Sequence, residues 1–302
     1  MINKNKLILG IDIGGSHITA GLVDMENRVA IAASMLRRQV NRHGSAEEIL
    51  SIWSDTIKSI QVKYGYSFSQ VGIAMPGPFN YESGVCLIKG FDKYESLYEM
   101  NIKEELAKRI GLLPGNILFR NDAEAFLEGE IFCHAADGFE NVIGVILGTG
   151  LGTAISQNGI VRDAELSVME YEGDKIEELV STRGLIKIYK NLTGKSVNDA
   201  QAIARLYNTD VHAKETFRLF ASHLAWFLLR FIEQQSPDVL IIGGNISKSA
   251  NLFMPEVFLI LSASLKDLPK IVEARLGEDA LLIGGACLFK QITNSKSNSI
   301  FQ

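Results

Sequence analysis

The sequence predicts an α/β fold, on three observations. Apolar segments of strand length alternate with amphipathic segments of helix length along most of the 302 residues. Hydrophobic residues make up 47% of the chain and charged residues 22%, which is typical of a globular protein. The length suits two domains or one large domain, and no linker rich in Pro, Gly or Ser divides the chain. We therefore expect closely packed domains joined by hinges.

The first part of the chain is predicted to begin with a strand hairpin, because two apolar segments, 7–13 and 18–24, flank the turn Gly14-Gly15. Ser45 is predicted to cap a helix that continues to about residue 64. The other elements predicted here are a strand at 29–35, a strand at 71–74, a rigid turn at 75–78, a helix at 101–110 that stops at Gly111, a strand at 117–120 and a helix at 123–130.

A second hairpin is predicted further along, where the apolar segment 141–147 meets the turn 148–152 and a strand at 153–156 leads out. Its likeness to the N-terminal hairpin suggests an internally duplicated fold. The remaining predicted elements are a long helix at 217–235, a buried strand at 239–242 and a terminal helix that begins near Leu281.

The composition excludes several classes of function. A net charge of −5 provides no basic surface for nucleic acid, and the longest apolar run is too short to span a bilayer. The N-terminus shows no signal-peptide pattern. Cys86, Cys133 and Cys287 are far apart in sequence, which is typical of reduced thiols rather than of disulfides or a metal site. We expect a cytoplasmic protein that binds neither nucleic acid nor membranes.

Four segments that follow apolar strands predict a phosphoryl-transfer site: 12–15, 121–122, 148–152 and 243–245. Ligands bind beyond the carboxyl ends of strands in open α/β sheets, so these segments are expected to converge on one cleft. Phosphoryl transfer needs backbone N–H groups and a metal ion at the phosphates and a positioned base at the acceptor hydroxyl. Taken alone, the glycine pair in the first segment is also typical of an ordinary hairpin turn, and Asn121-Asp122 of a helix N-cap.

Each segment receives a role in this interpretation. Asp122 is the predicted general base, and Asn121 is expected to hydrogen-bond the acceptor hydroxyl. Asp12 is expected to act on Mg²⁺ through water, because this ion keeps much of its hydration. The residues expected to hold ATP are Gly14, Gly15, Ser16, Gly148, Thr149, Gly150 and Gly152 at the phosphates, and Gly243, Gly244 and Asn245 at the purine and ribose.

These segments, together with Met75–Pro78 and Arg120–Ala125, resemble the ROK family of bacterial sugar kinases and sugar-responsive repressors, over residues 7 to about 287. The resemblance implies a two-domain actin-like ATPase (ribonuclease H-like) fold with an interdomain cleft. Its N-terminal α/β domain would comprise 1–120 plus a C-terminal helix at 287–302, and its C-terminal α/β domain 121–286. It also implies transfer of the ATP γ-phosphate to a hexose or amino-sugar hydroxyl with Asp122 as base, Gly77 near the sugar, and a homodimer.

The chain departs from the family pattern after the second hairpin. Glu165 and Glu177 match the positions of two sugar-contacting carboxylates, although a solvated helix face is the alternative for both. Val168 stands where the family has a histidine, and no cysteine lies between Cys133 and Cys287. A tetrahedral zinc site cannot be assembled from this segment, so structural zinc is predicted to be absent.

Two further departures lie in the first part of the chain. His17 replaces a lysine of the family pattern and removes a fixed positive charge. The segment 88–94 lacks the family's asparagine. Lys89, Asp92 or Lys93 could replace its sugar contacts, but a charged surface loop is the favoured interpretation.

The kinase branch is favoured over the repressor branch, because no helix-turn-helix fits before Leu7. Two alternatives remain open: a catalytically weak or inactive sugar-binding regulator of the same family, and an actin-like filament protein. Intact Asp12, Asp122 and glycine turns argue against the regulator, since a sensor needs no base. The filament protein has no use for Glu165 or the Asn-Asp pair.

Overall fold

The computed structural model describes residues 6–65 and 68–290. The chain forms two compact units, which we describe separately: unit 1 comprises Met1–His134 and Glu278–Gln302, and unit 2 comprises Ala135–Gly277. Residues 291–302, most of the predicted C-terminal helix, lie outside the described residues.

The described elements alternate between strands and helices, as the sequence predicts. The helices are α1 (Ala46–Tyr64), α2 (Ile102–Ile110), α3 (Asp122–Phe132), α4 (Thr182–Thr193), α5 (Ala200–Leu206), α6 (Val211–Gln235), α7 (Met254–Ser264) and α8 (Asp279–Ala286). The strands are β1 (Leu7–Ile13), β2 (His17–Asp24), β3 (Val29–Ala30), β4 (Leu36–Gln39), β5 (Val71–Met75), β6 (Phe79–Asn80), β7 (Val85–Cys86), β8 (Ile117–Asn121), β9 (Asn141–Leu147), β10 (Leu151–Gln157), β11 (Ile160–Asp163), β12 (Glu170–Tyr171), β13 (Asp174–Lys175), β14 (Val239–Gly243) and β15 (Lys270–Glu273).

Unit 1 is built on a mixed sheet with the strand order β3-β2-β1-β5-β8, in which β4 also pairs with β2. β1 and β2 form the predicted antiparallel hairpin, whereas β1, β5 and β8 run parallel. Every residue of β1 and β5 is buried, which explains why both strands are apolar on both faces. The parallel strands end at one edge of the sheet.

The helices α1 and α2 confirm their predicted ends. The Ser45 side chain accepts a hydrogen bond from the Glu48 N–H, and the Asn101 side chain does the same for Glu104. Gly65 and Gly111 follow the two helices in the left-handed conformation, with φ of 56° and 74°.

The helix α8 lies directly on the backbone of β1, β5 and α3, because glycines remove the side chains that would separate them. A Cβ at Gly10 or Gly72 would overlap a carbonyl oxygen of α8, and a Cβ at Gly284 would overlap the carbonyl oxygen of Ala125 in α3. This packing places α3 and α8 in unit 1, whereas the family resemblance implied a C-terminal domain of 121–286.

Unit 2 repeats the plan with a second mixed sheet, β11-β10-β9-β14-β15. β9 and β10 form the second predicted hairpin, and β14 pairs in parallel with β9 and β15. The long helix α6 begins at Val211, six residues before its predicted start, and buries Phe217, Phe220, Phe227 and Phe231 in the core of this unit.

The predicted strand at 29–35 is wrong in part. The structure has β3, then a 3₁₀ turn at Ala32–Ser34, then β4. The buried Ser34 hydroxyl donates to the Ile31 carbonyl and accepts from the Leu22 N–H, so a local polar contact interrupts the strand. Among the described helices none is long and apolar enough to cross a membrane.

Candidate active site

The carboxyl ends of three parallel strands bring predicted site residues of unit 1 together. Asp12 near the end of β1 is level with Ala74 in β5, and Met75 is level with Asn121, the last residue of β8. Asp12, the turn after β5 and the Asn121-Asp122 pair therefore lie along one edge of the sheet.

The first glycine turn, Gly14-Gly15, connects β1 to β2. The Gly14 N–H donates to the His17 carbonyl at 3.0 Å, and the His17 ring folds back over the turn. A Cβ at Gly14 would lie 2.5 Å from the ring carbon Cε1, whereas a Cβ at Gly15 would meet nothing within 4 Å. His17 Nε2 also lies 3.6 Å from Asp12 Oδ2, and Ser16 is exposed. The Gly15 side of the turn is thus open to a ligand.

Asn121 is both a helix cap and a neighbour of the predicted base. Its Oδ1 accepts hydrogen bonds from the N–H groups of Ala123 at 2.7 Å and Glu124 at 3.4 Å. Its Nδ2 donates to the Tyr81 hydroxyl at 3.3 Å, which orients the amide. The N-cap alternative is thus present in the structure for Asn121, and it leaves one Nδ2 proton for another acceptor.

Asp122 is the first residue of α3 and accepts a hydrogen bond from the Ala123 N–H at 2.9 Å. Burial of the carboxyl group is the largest influence on its pKa and raises it. The Lys93 ammonium lowers this pKa, and the Asp12 carboxylate raises it, so both charges reach Asp122. A carboxylate with a raised pKa is a stronger base than an exposed aspartate.

The segment 88–94 is exposed at residues 89–92, as expected of a charged surface loop, but its end is buried. Tyr94 is fully buried, and its hydroxyl donates a 2.5 Å hydrogen bond to the Gly14 carbonyl. Lys93 is partly buried and acts on Asp122, while Lys89 and Asp92 remain exposed. A tyrosine can bury its ring while its hydroxyl keeps a hydrogen-bond partner. The charged residues around Tyr94 in the sequence did not indicate that it would be buried.

Unit 2 brings two predicted segments together. Gly243 in β14 is level with Ile146 in β9, and the second glycine turn, Gly148–Gly152, follows β9 directly. Gly244 has φ of +94°, and a Cβ there would overlap the Leu147 carbonyl oxygen. The turn at 243–245 therefore lies against the start of the second glycine turn, and Asn245 is exposed.

The second glycine turn is held by the start of α4. The N–H and the hydroxyl of Thr182 both donate to the Gly148 carbonyl at 2.9 Å. The Arg183 guanidinium donates to the Thr149 carbonyl at 3.2 Å and to Glu177 Oε1 at 2.9 Å. Glu177 Oε1 would lie 2.5 Å from a Cβ at Gly150, so this carboxylate covers the turn.

Glu165 lies outside this cluster of hydrogen bonds. Its backbone is left-handed, with φ of 54°, its N–H donates to Asp163 Oδ1 at 2.8 Å, and the residue is exposed. Val168 is 56% exposed on the 3₁₀ turn that follows Glu165. Ion pairs tie the segment after it to α4, from Lys187 to Asp174 at 3.0 Å and from Arg183 to Glu178 at 2.7 Å.

The described residues contain no group of three or more His, Cys, Asp or Glu side chains positioned to hold a metal ion. Magnesium in phosphoryl-transfer sites is commonly bound by one or two carboxylates plus the substrate phosphates. The buried Asp12, at the first glycine turn, fits that kind of site with the phosphates of a bound nucleotide.

Three residues that the structure places at these segments were missed or undervalued from the sequence: Tyr81, Tyr94 and Arg183. Tyr81 lies beside Gly77, where a Cβ would be 3.3 Å from its hydroxyl, and its hydroxyl donates to the Met75 carbonyl. The available signals were a tyrosine after a Pro-Gly-Pro turn and an arginine in the first turn of a capped helix.

Comparison with known proteins places the chain in a family. It is 25% identical to the N-acetyl-D-glucosamine kinase of Mannheimia succiniciproducens over 94% of this chain and 99% of that protein. It is 26% identical to the glucokinase of Thermotoga maritima over 95% and 98%, respectively. A crystal structure of a ROK family glucokinase from Streptomyces griseus, in complex with glucose and AMPPNP, superposes with a TM-score of 0.77 at 23% identity, over 94% of this chain and 99% of that one.

This structural likeness confirms the predicted actin-like ATPase fold. The sequence profile of the ROK family matches residues 8–165 and 172–292, which is nearly the whole chain. The glycine turns, the Asn121-Asp122 pair and the fold all agree with that match. This chain belongs to the ROK family.

Proposed function

We propose that this chain transfers the γ-phosphoryl group of ATP to a hydroxyl of a hexose or an amino sugar, with Asp122 as the general base. The position of Asp122 carries the proposal: it begins α3 at the sheet edge and lies close enough to Asp12 for that charge to raise its pKa. A carboxylate in this place can accept the proton of a hydroxyl that attacks a phosphoryl group. Similarity to a glucokinase and an N-acetylglucosamine kinase supports a sugar as the acceptor.

Residues around Asp122 orient the acceptor in this proposal. The free Nδ2 proton of Asn121 hydrogen-bonds a sugar oxygen, while Tyr81 fixes the amide plane. Gly77 leaves open the space that a side chain would fill beside the Tyr81 hydroxyl. Glu165 and Glu177 contact further sugar hydroxyls, and Glu177 keeps Oε2 for this purpose because Arg183 engages only its Oε1.

The glycine turns bind the nucleotide. Gly14, Gly15 and Ser16 in unit 1, and Gly148, Thr149, Gly150 and Gly152 in unit 2, present backbone and hydroxyl groups to the phosphates. The turn Gly243-Gly244-Asn245 accommodates the purine and ribose. Asp12 holds Mg²⁺ through water, and this ion supplies charge neutralisation at the phosphates when bound.

A homodimer and a cytoplasmic location belong to the same proposal. The first is supported by the family resemblance, and the second by three cysteines that are all free in the structure. Zinc is not part of the proposal, because Val168 occupies the position of the missing imidazole.

The test is an ADP-release assay over a panel of hexoses and amino sugars, with the wild-type chain and Asp122→Asn. We expect turnover with at least one sugar and a loss of 100-fold or more in kcat in the variant, on the order of a removed general base. Asp55→Asn, on the exposed face of α1, is the matched control and is expected to keep wild-type turnover. Wild-type turnover in Asp122→Asn would contradict the role of this residue.

A second candidate, a sugar-binding regulator, is favoured by one observation: Glu177 is engaged by Arg183 and Val168 replaces a polar partner of the sugar. Such a protein would show sugar-dependent thermal stabilisation without ADP release from any sugar of the panel. Turnover with one sugar removes this candidate.

A further inference from the structure

Lys93 lies between two residues whose backbone is left-handed. Asp92 has φ of 54° and Tyr94 has φ of 53°, a region that residues with a Cβ rarely adopt. Such conformations persist only where the surroundings impose them, and they cluster at functional sites. We therefore expect contacts from other parts of the chain to impose the conformation of residues 92–94.

Contacts on both sides of Lys93 impose this conformation. The Tyr94 N–H donates to the Arg42 carbonyl at 2.8 Å, its hydroxyl donates to the Gly14 carbonyl, and its ring meets Trp53 edge-on at 5.4 Å. On the other side, the Arg42 guanidinium binds Asp92 Oδ2 at 3.2 Å. These contacts fix the backbone of Lys93 next to the first glycine turn.

Lys93 is partly buried and directly precedes Tyr94, whose hydroxyl binds the first glycine turn. Its positive charge lowers the pKa of the Asp122 carboxyl and of the Cys86 thiol. Within residues 6–65 and 68–290, no hydrogen bond or ion pair engages the Lys93 ammonium. A partly buried ammonium whose hydrogen-bond donors are not engaged by the described residues is available to an anionic ligand.

Phosphoryl transfer creates a need for such a cation. Negative charge is spread over the three equatorial oxygens of the transferring group, and fixed positive groups stabilise it. The first glycine turn carries no permanent cation of its own, since the charge of His17 depends on its protonation.

We propose that Lys93 is a catalytic residue that binds the transferring phosphoryl group of ATP beside Asp122. This inference rests on the proposed function. In the step it serves, the acceptor oxygen forms a bond to the γ-phosphorus while the bond from that phosphorus to the β,γ-bridging oxygen breaks. The hydroxyl proton passes to Asp122, ADP leaves with the bonding electron pair, and Lys93 stays bound to the oxygens of the moving group.

The experiment compares the wild type with Lys93→Met and Lys93→Arg, with Lys58→Met as the charge-matched control on the exposed face of α1. We expect kcat to fall 100-fold or more in Lys93→Met, with the sugar KM changed less than threefold. Lys93→Arg is expected to recover part of the rate because it keeps the charge. Lys58→Met is expected to match the wild type.

A binding measurement separates this inference from the proposed function. Lys93→Met is expected to weaken binding of a non-hydrolysable ATP analogue about tenfold and to leave binding of ADP unchanged, because only the γ-phosphate meets the lysine. If the wild type releases no ADP with any sugar but shows this difference, the proposed function and the catalytic role of Lys93 fail, and only its contact with the γ-phosphate stands. If the wild type turns over and Lys93→Met matches it in rate and binding, the role of Lys93 is overturned. A rise in the sugar KM alone would also overturn it, since Lys93 would then bind the acceptor.

Discussion

The two glycine turns have similar sequences but differ in how much the surrounding backbone helps to hold them. Side chains restrain the first glycine turn: the Tyr94 hydroxyl binds the Gly14 carbonyl, and the His17 ring covers Gly14. The backbone adds to side chains at the second: the Leu147 carbonyl meets Gly244, and the Gly148 carbonyl accepts from the Thr182 N–H as well as from its hydroxyl. Side chains can rotate away from an added atom, whereas a strand backbone cannot.

The two turns should therefore tolerate different substitutions. Substitutions in unit 2 should act mainly through stability, and those in unit 1 should be milder and act through loop geometry.

Each unit has its own tryptophan, Trp53 in unit 1 and Trp226 in unit 2, so fluorescence can follow their unfolding separately. Variants of unit 2 are best measured with Trp53→Phe as background, because the Trp53 indole nitrogen has no hydrogen-bond partner to lose within the described residues.

The largest effect is expected for Gly244→Ala. A Cβ here meets the Leu147 carbonyl and also forces alanine into a positive φ, which together should lower the free energy of unfolding of unit 2 by about 3 kcal/mol. Gly194→Ala is the control, since Gly194 has φ of +72° but nothing within 4 Å of an added Cβ. Equal losses in the two variants would mean that the Leu147 contact imposes no constraint.

The next effect concerns the hydroxyl that restrains the first glycine turn. Burial raises the pKa of Tyr94, so the hydroxyl stays protonated and donates to Gly14 at physiological pH. Tyr94→Phe leaves the Gly14 carbonyl without this donor and should lower the stability of unit 1 by about 1–2 kcal/mol in denaturant unfolding.

The same substitution should raise the KM for ATP several-fold, because the Gly14 carbonyl and the Gly15 N–H share one peptide plane. The sugar KM should stay the same. Tyr98→Phe serves as the control, as Tyr98 is a partly buried tyrosine of the same unit. An unchanged ATP KM in Tyr94→Phe would show that the hydroxyl stabilises the fold without orienting the turn.

A smaller loss is expected for Gly14→Ala, where the added Cβ displaces the His17 ring. Moving an imidazole off its preferred rotamer costs about 1 kcal/mol, which denaturant unfolding of unit 1 can resolve. Gly15→Ala should leave stability unchanged because its Cβ meets open space. If both variants lose the same stability, the ring over Gly14 is not a restraint.

The sequence predicted the elements whose pattern is local. β1, the Ser45 cap, the stop of α2 at Gly111 and the second hairpin are encoded by adjacent residues, and the structure confirms them. The close packing of α8 on β5 could not be predicted, because Gly72 and Gly285 are far apart in sequence and come into contact only in the fold.

The candidate active site shows the same contrast between local sequence patterns and contacts between distant residues. Strand ends and glycines point to Asp12, Asn121 and Asp122, and the structure places them along one sheet edge of unit 1. The residues that restrain these groups come from elsewhere: Tyr94 reaches Gly14 across 80 positions, and Arg183 reaches Thr149 across 34. Long-range hydrogen bonds leave no periodic signal, so the restraints are visible only in three dimensions.

The smallest effect tests how the backbone and the side chain of Thr182 share the hold on the Gly148 carbonyl. Thr182→Val removes the hydroxyl but keeps the N–H that donates to the Gly148 carbonyl, so unit 2 should lose only about 0.5 kcal/mol. Thr182→Pro removes both donors at the first position of α4, where proline otherwise suits a helix, and should cost more. The difference between the two variants measures the backbone hydrogen bond. Should Thr182→Val lose as much stability as Thr182→Pro, the backbone N–H would add nothing to the hydroxyl, and the contrast between the two turns would disappear.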